Sequence, residues 1–362
     1  MPTKIDNLVR SDAELTQCHD DAVPIVLMTR IRLARNLAEY PFPQYGNPAQ
    51  RRKIYGICCS ALQSLPDMKD GITLSVEDLS ELERRIMVER HLVSRELVET
   101  ENGAGVVIRS DQSVSVMINE EDHLRVQCMM SGFKLNEVWK SIDQLDDALE
   151  EHLDYAFSND IGYLTACPTN VGTGMRASVM MHLPGLVITK SMEKVIRAVN
   201  QLGLVVRGWL GEGSEASGSI FQISNQQTLG ESESTILQRL NNVLKTISEQ
   251  ENNARLRLLR TDRSRLLDRI GRAYGVLRNG HLLSSNESMS LLSLIRLGAD
   301  FSIFPDAARH LADRLFIESQ PGHVQYLAES ELESTARDSL RADIMRKEFQ
   351  TVPEPSFQSA PS

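Results

Sequence analysis

Lysine is scarce in this chain: only 9 of its 39 basic residues are lysine, and 30 are arginine. Solubility alone does not require that bias. What sets arginine apart is a planar fork that grips phosphate or carboxylate through two parallel bonds. Other absences narrow the field. No apolar run approaches the ~18 residues of a membrane-spanning helix. The opening Met1-Pro2-Thr3-Lys4-Ile5-Asp6 also lacks the apolar centre of a secretion signal. The five cysteines (Cys18, Cys58, Cys59, Cys128, Cys167) are odd in number and form no C-x-x-C pair. That argues against a disulfide framework or a zinc site, and a cytoplasmic setting is expected. A net charge of −10 is the wrong sign for a general nucleic-acid coat. The Walker A loop, the dinucleotide glycine fingerprint and the H-R-D and D-F-G pair are all missing. Their absence excludes the folds built on them, protein kinases of serine, threonine and tyrosine among them.

The chain has 362 residues, 41% of them hydrophobic and 24% charged, enough for two globular domains. Residues 1–22 are polar and acidic and are expected to be loosely held. Residues 23–230 mix strand and helix signals. Val106, Val107 and Ile108, a Ser110-Asp111-Gln112 turn, then Val114, Val116 and Ile118 read as a hairpin. Val138, Ile142, Leu145, Leu149 and Leu153 fall on one helical face. Ser75-Val76-Glu77-Asp78 reads as a capping box opening a helix through Ile86. A helix over 193–202, stopped by Gly203, precedes a strand at 204–210. The expected class is α+β, a largely antiparallel sheet flanked by helices. From Ile236 onward helical spacing continues, and no proline occurs between Pro184 and Pro305. A separate all-helical domain over 231–350 is expected, then a disordered Pro/Ser-rich tail over 351–362.

Four segments carry more polar chemistry than a scaffold needs: Thr29–Asn36, Asn119–Arg125, Cys167–Ser178 and Arg207–Ala216. If they converge, Arg30, Arg32, Arg125, Arg176 and Arg207 surround an anion, and a triphosphate matches so many guanidinium forks. Phosphoryl transfer requires mainly positioning and charge neutralisation, which arginines and a magnesium ion supply. Gly172-Thr173-Gly174 reads as a tight turn or as a backbone cradle opening a helix.

These segments resemble the catalytic domain of the phosphagen (ATP:guanidino) kinases, through Asn119-Glu120-Glu121-Asp122-His123-Leu124-Arg125 and Cys167-Pro168-Thr169-Asn170-Val171-Gly172-Thr173-Gly174-Met175-Arg176. The phosphagen kinases' own helical N-terminal domain has no room here, and a different helical domain follows. In that arrangement the chain is identified as a member of the bacterial protein-arginine kinases, the McsB family.

The resemblance implies ATP and Mg2+ as cofactors, the ion being carried by ATP with no direct protein ligand. It places the nucleotide against Met28, Thr29, Arg30, Ile31 and Arg32, His91 and Arg125. The same site takes in Arg176, Ala177, Ser178, Val179 and Met180, then Arg207, Gly208, Trp209, Leu210, Gly211 and Glu212. Glu121 and Glu212 match the carboxylates that grip the acceptor guanidinium, and Cys167 matches the active-site cysteine. Met28-Thr29 departs from the family's two small hydroxyl residues. His123 is expected to be structural.

In the helical domain, Arg337-Asp338-Ser339-Leu340-Arg341-Ala342 puts two arginines four apart. On spacing alone this is a solvated charged face. The resemblance implies instead a phosphoarginine-binding, regulatory site formed by Arg337, Asp338, Arg341 and Ala342. The eight arginines of residues 255–278 read as a solvated face that docks acidic partners or is itself modified. Implied partners are proteins with exposed arginines, a Clp ATPase/protease, a zinc-binding activator, a heat-shock repressor and a second copy of the chain. No membrane or nucleic acid is expected. Two other functions fit the residues: a small-molecule guanidino kinase, and an inactive phosphoarginine-binding adaptor.

Overall fold

The computed structural model describes residues 5–11, 24–100, 102–209, 217–328 and 330–360. In chain order the elements are α1 (Asp6–Arg10), β1 (Val26–Arg35), α2 (Pro48–Ser64), β2 (Ile72–Ser75), α3 (Glu81–Glu89) and α4 (Arg95–Glu99). Then come β3 (Gly105–Ile108), β4 (Val114–Ile118), β5 (Leu124–Ser131), α5 (Leu135–Glu150), β6 (Phe157–Ser158) and β7 (Gly162–Tyr163). They are followed by β8 (Met175–His182), α6 (Pro184–Ile188), α7 (Met192–Gln201), β9 (Leu204–Arg207) and β10 (Ile220–Asn225). The rest is helical: α8 (Glu233–Thr261), α9 (Arg263–Asn279), α10 (Ser285–Asp300), α11 (Asp306–Glu318), α12 (Pro321–Leu327) and α13 (Ser334–Phe349).

Eight strands form one antiparallel sheet in the order β2-β3-β4-β5-β1-β8-β10-β9. Strand β1 is the hub, paired to β5 on one side and β8 on the other. Its alternation sorts side chains by face. Ile31 and Leu33, with Val126, Cys128, Ala177, Val179 and Ile223 of neighbouring strands, enter a core with α2, α5, α7 and the first half of α8. The opposite face carries Met28, Arg30 and Arg32 beside Arg125, Gln127, Met129, Arg176, Ser178, Met180 and Gln222. Its methionines join a second core with the C-terminal helices. Its arginines remain along an open cleft.

The expected class and hairpin are observed. Helix α7 stops as expected: Gly203 takes φ +71 before β9. Five expectations need correction. Ser75 ends β2, held by its pairing with Gly105; the capping box belongs to Ser80 and Glu83, and α3 starts at Glu81. Gly172-Thr173-Gly174 leads into strand β8, so no helix N-terminus stands there. The boundary at 230/231 fails because α8 is shared: Ile236, Leu240, Leu244 and Ala254 pack under the sheet, while Leu258 and Leu259 lie in the C-terminal core. The tail is ordered to residue 360. Phe357 packs on Gly271, Ser356 N–H donates to Ile303 O at 2.9 Å, and Arg263 reaches Ala360 O at 3.1 Å. Within 1–22, residues 6–10 form α1, with Ile5 and Leu8 buried; residues 1–4 and 12–22 lie outside the described residues.

Candidate active site

The cleft holds about 680 Å³ and is lined by Arg30, Arg32, Arg125, Arg176, Arg207, His91 and Trp209, with Glu120, Glu121 and Cys167. Its geometry follows from sheet register. Arg32 lies directly opposite Arg176, Ala34 opposite Arg125, and Gln222 opposite Arg207. Four of five consecutive strands (β5, β1, β8 and β9, with Gln222 of β10 between the last two) thus aim cations at one space. Arg30 donates to Gln222 Oε1 at 2.9 Å and Arg176 to Ser224 Oγ at 3.3 Å. Burial lowers the pKa of Arg30 to about 10, helped by repulsion from Arg176 and Arg125. Burial pulls Arg32 well down too, with Arg30, Arg125 and Arg176 adding to it. Cations that depress one another's pKa in a buried site are short of negative charge, and an anion entering the cleft relieves them.

Glu120 offsets part of that repulsion. Its buried carboxylate meets Arg125 Nη1 at 2.6 Å and accepts a bond from Ser94 Oγ. Glu121 is more open, its side chain 42% exposed and 3.4 Å from Arg125 Nη2. Partial burial raises its pKa against the pull of Arg125, with Asp122, Glu120 and Glu96 adding to the rise. Cys167 precedes a 3-10 turn (Pro168–Asn170), with Sγ 3.0 Å from Thr169 Oγ1. It is set beside Glu121 by Asp122, which accepts from Ala166 N at 2.7 Å and Asn36 Nδ2 at 2.6 Å.

His91 takes φ +58 just past α3, and its ring meets Trp209 edge-on at 5.0 Å. Burial, then Arg30, pushes its pKa down to about 3, so the imidazole is neutral. His123 is structural, as expected. Nδ1 accepts from Leu37 N at 3.0 Å, leaving Nε2 to donate to Pro41 O at 2.9 Å.

Not every candidate reaches the cleft. Thr29, Ile31, Ala177 and Val179 point to the other face; Thr29 Oγ1 donates to Gly132 O at 2.7 Å and accepts from Lys134 N. Met28 and Met180 lie in the second core, and Ser178 donates to Arg30 O at 3.3 Å. Gly208 follows β9 directly. Leu210, Gly211 and Glu212 lie outside the described residues. In α13, Arg341 is 1% exposed and donates to Ser319 O at 2.7 Å, Leu283 O at 2.8 Å and Asp338 at 2.5 Å. The solvated face that spacing alone suggests therefore does not include Arg341. Arg337, half-buried, donates to Leu332 O at 2.7 Å, and Ala342 is buried. Ser94, Glu120, Gln222 and Gln226 also line the cleft. Glu120 stood in the Asn119–Arg125 run, but nothing local marked the other three.

Residues 53–254 match the family model of the ATP:guanido phosphotransferase C-terminal catalytic domain. Residues 263–360 match that of the protein-arginine kinase McsB C-terminal domain. A protein-arginine kinase of Pelotomaculum thermopropionicum is 45% identical over 332 residues, covering 91% of this chain and 93% of that one. The chain belongs to the protein-arginine kinase family. The Bacillus subtilis protein-arginine kinase is 46% identical over 325 residues, 89% of each chain. Among solved structures, the duplicated taurocyamine kinase of Schistosoma mansoni with transition-state-analogue components aligns at TM-score 0.60 and 26% identity, over 70% of this chain and 36% of that one. Lombricine kinase aligns at TM-score 0.57 and 26% identity, over 63% and 66%. The family models meet near residue 260, consistent with one helix, α8, joining the two cores.

Proposed function

We propose that this protein transfers the γ-phosphoryl group of ATP to arginine side chains of other proteins, giving phosphoarginine. The observation that carries the reading is the cleft: a guanidinium cluster short of negative charge, with Glu121 and Cys167 in its lining. Arg30, Arg32, Arg125, Arg176 and Arg207 hold the triphosphate, with neutral His91 and Trp209 beside the nucleotide. Mg2+ would be carried by ATP, without a protein ligand, and would supply charge neutralisation at the phosphates. Among the described residues no three His, Cys, Asp or Glu converge as a metal cage.

A guanidinium has a pKa above ~12 and no free lone pair at neutral pH. Glu121 fixes its plane, aims one nitrogen at the γ-phosphate and accepts a proton as the new bond forms, with Glu212 as its partner. Cys167 lies against the same group. Arg125, held by Glu120 and Glu121, offers the rest of its fork to the phosphate.

By family resemblance, the working form is a cytoplasmic homodimer. It serves a Clp ATPase/protease, a zinc-binding activator and a heat-shock repressor, and Arg337, Asp338, Arg341 and Ala342 form a phosphoarginine-binding, regulatory site. Among the described residues no helix is long and apolar enough to cross a membrane.

The test is incubation with ATP-Mg2+ and either a protein or free arginine, followed by assay for acid-labile P–N phosphate. Label on the protein is expected. Label on free arginine alone would make this a small-molecule guanidino kinase, and label on neither a binding adaptor.

A further inference from the structure

Glu89, Arg90 and His91 are consecutive and all at least nine-tenths buried, yet each serves a different part of the molecule. His91 lines the cleft. Arg90 donates to Gln112 Oε1 and, at 2.7 Å, to Ser11 O, tying down the segment after α1. Glu89 turns to the C-terminal half. Its carboxylate accepts from Gly322 N at 2.7 Å, His323 N at 3.1 Å and His323 Nδ1 at 2.8 Å, all at the start of α12. Arg85, at 3.9 Å, is only a distant partner. Gly322 is what lets the elements approach: a Cβ there would stand 2.8 Å from Glu89 Oε2.

The backbone joins these contacts to the cleft. Helix α3 ends in paired reversals, Leu92 N to Met87 O and His91 N to Val88 O, both 3.0 Å, with His91 at φ +58. That left-handed position usually belongs to glycine, because a side chain is strained there. A histidine holds it only where its surroundings over-determine the turn. Gln127 Nε2, donating to His91 O at 2.8 Å, secures one side. Glu89, two residues back, secures the other.

We propose that Glu89 is a positioning residue for the nucleotide site. By gripping α12 it holds His91 in the turn that presents the imidazole to the cleft, so the C-terminal half sets the affinity for ATP. The chain of contacts extends further: Arg341 holds Ser319 O, two residues before Pro321, and thereby the approach to α12. The inference rests on reading the cleft as the ATP site.

The test compares full-length wild type, Glu89→Gln and Gly322→Ala for KM(ATP), kcat and thermal stability. Expected is a rise in KM(ATP) of about 5- to 20-fold with kcat within about twofold, the range of ordinary coupling between sites. Gly322→Ala should act in the same direction without altering any charge. Folded variants with unchanged KM(ATP) would overturn the inference. So would failure of both variants to fold, since Glu89 would then serve only as a structural anchor. If the wild type itself neither binds nor turns over ATP, the reading of the cleft is what fails.

Discussion

At the scale of single residues, the two glutamates beside Arg125 divide their work by exposure. Glu120 is buried against the guanidinium and Ser94, whereas Glu121 is open to the cleft. Glu121→Gln should therefore lower kcat by about 10²- to 10⁴-fold, the range for a lost proton acceptor. Stability should change by less than about 0.5 kcal/mol. With Glu121 as the proposed proton acceptor, activity should be lost as pH falls through its folded pKa. Partial burial raises that pKa, so the acid limb of kcat against pH should lie above the ordinary glutamate value and vanish in the variant. The motif arginines separate in the same way. Arg341→Met orphans the buried carbonyls of Ser319 and Leu283 and should cost about 3 kcal/mol in a denaturant melt. Arg337→Ala should cost under about 1 kcal/mol and change phosphoarginine binding instead. The spacing of these arginines was visible in the sequence. The carbonyls that draw Arg341 inward belong to segments 22 and 58 residues away, beyond any local pattern.

Elements show why some local signals held and others did not. The β3–β4 hairpin and α5 were legible because each buries one regular stripe. Ser75 and Ser80 offer nearly the same capping signal, and long-range pairing decides between them by drawing Ser75 into β2 against β3. The Pro/Ser-rich tail read as disordered because composition conceals the single Phe357 that seats on Gly271. In β1 the alternation was plain, but the sequence does not say that C-terminal helices cover half of the polar face and leave the rest as a cleft. The glycine turn before β8 is a demanding local geometry. Gly174 has φ +64, and a Cβ would stand 2.6 Å from both Ala34 O and Arg35 Nη1. Gly174→Ala should cost about 2–3 kcal/mol and displace the start of β8, lowering activity as well. Gly203 has a similar φ, +71, with nothing within 4 Å of a Cβ. Gly203→Ala should cost only about 1 kcal/mol, and paired melts isolate the steric part.

Across the whole molecule, buried neutral histidines shape the response to acid. Burial lowers His91 to about 3 and His123 to about 4, and it holds His182 well below its usual value. Below pH ~6.5 the unfolded chain protonates these rings while the folded chain does not, so folding weakens as pH falls. Each ring contributes a slope of up to about 1.4 kcal/mol per pH unit, from ~6.5 down to its folded pKa. Melting temperature should thus drop between pH 7 and 5, before ordinary carboxylates titrate. A flat profile there would show the rings to be charged in the fold.

Strand β1 is made early and pairs late. Its neighbours in the sheet begin about 90 and 140 residues downstream. At translation rates of about 5–20 residues per second, the interval before β8 is complete lasts about 7–30 s. During that time a ten-residue strand, basic on one side and aliphatic on the other, has at least one unsatisfied edge. The meander β3-β4-β5 can form locally within it, but the arginine cluster assembles only when β8, β9 and β10 follow. Prematurely terminated products ending before Met175 would keep that edge open and should be the aggregation-prone species of this gene product.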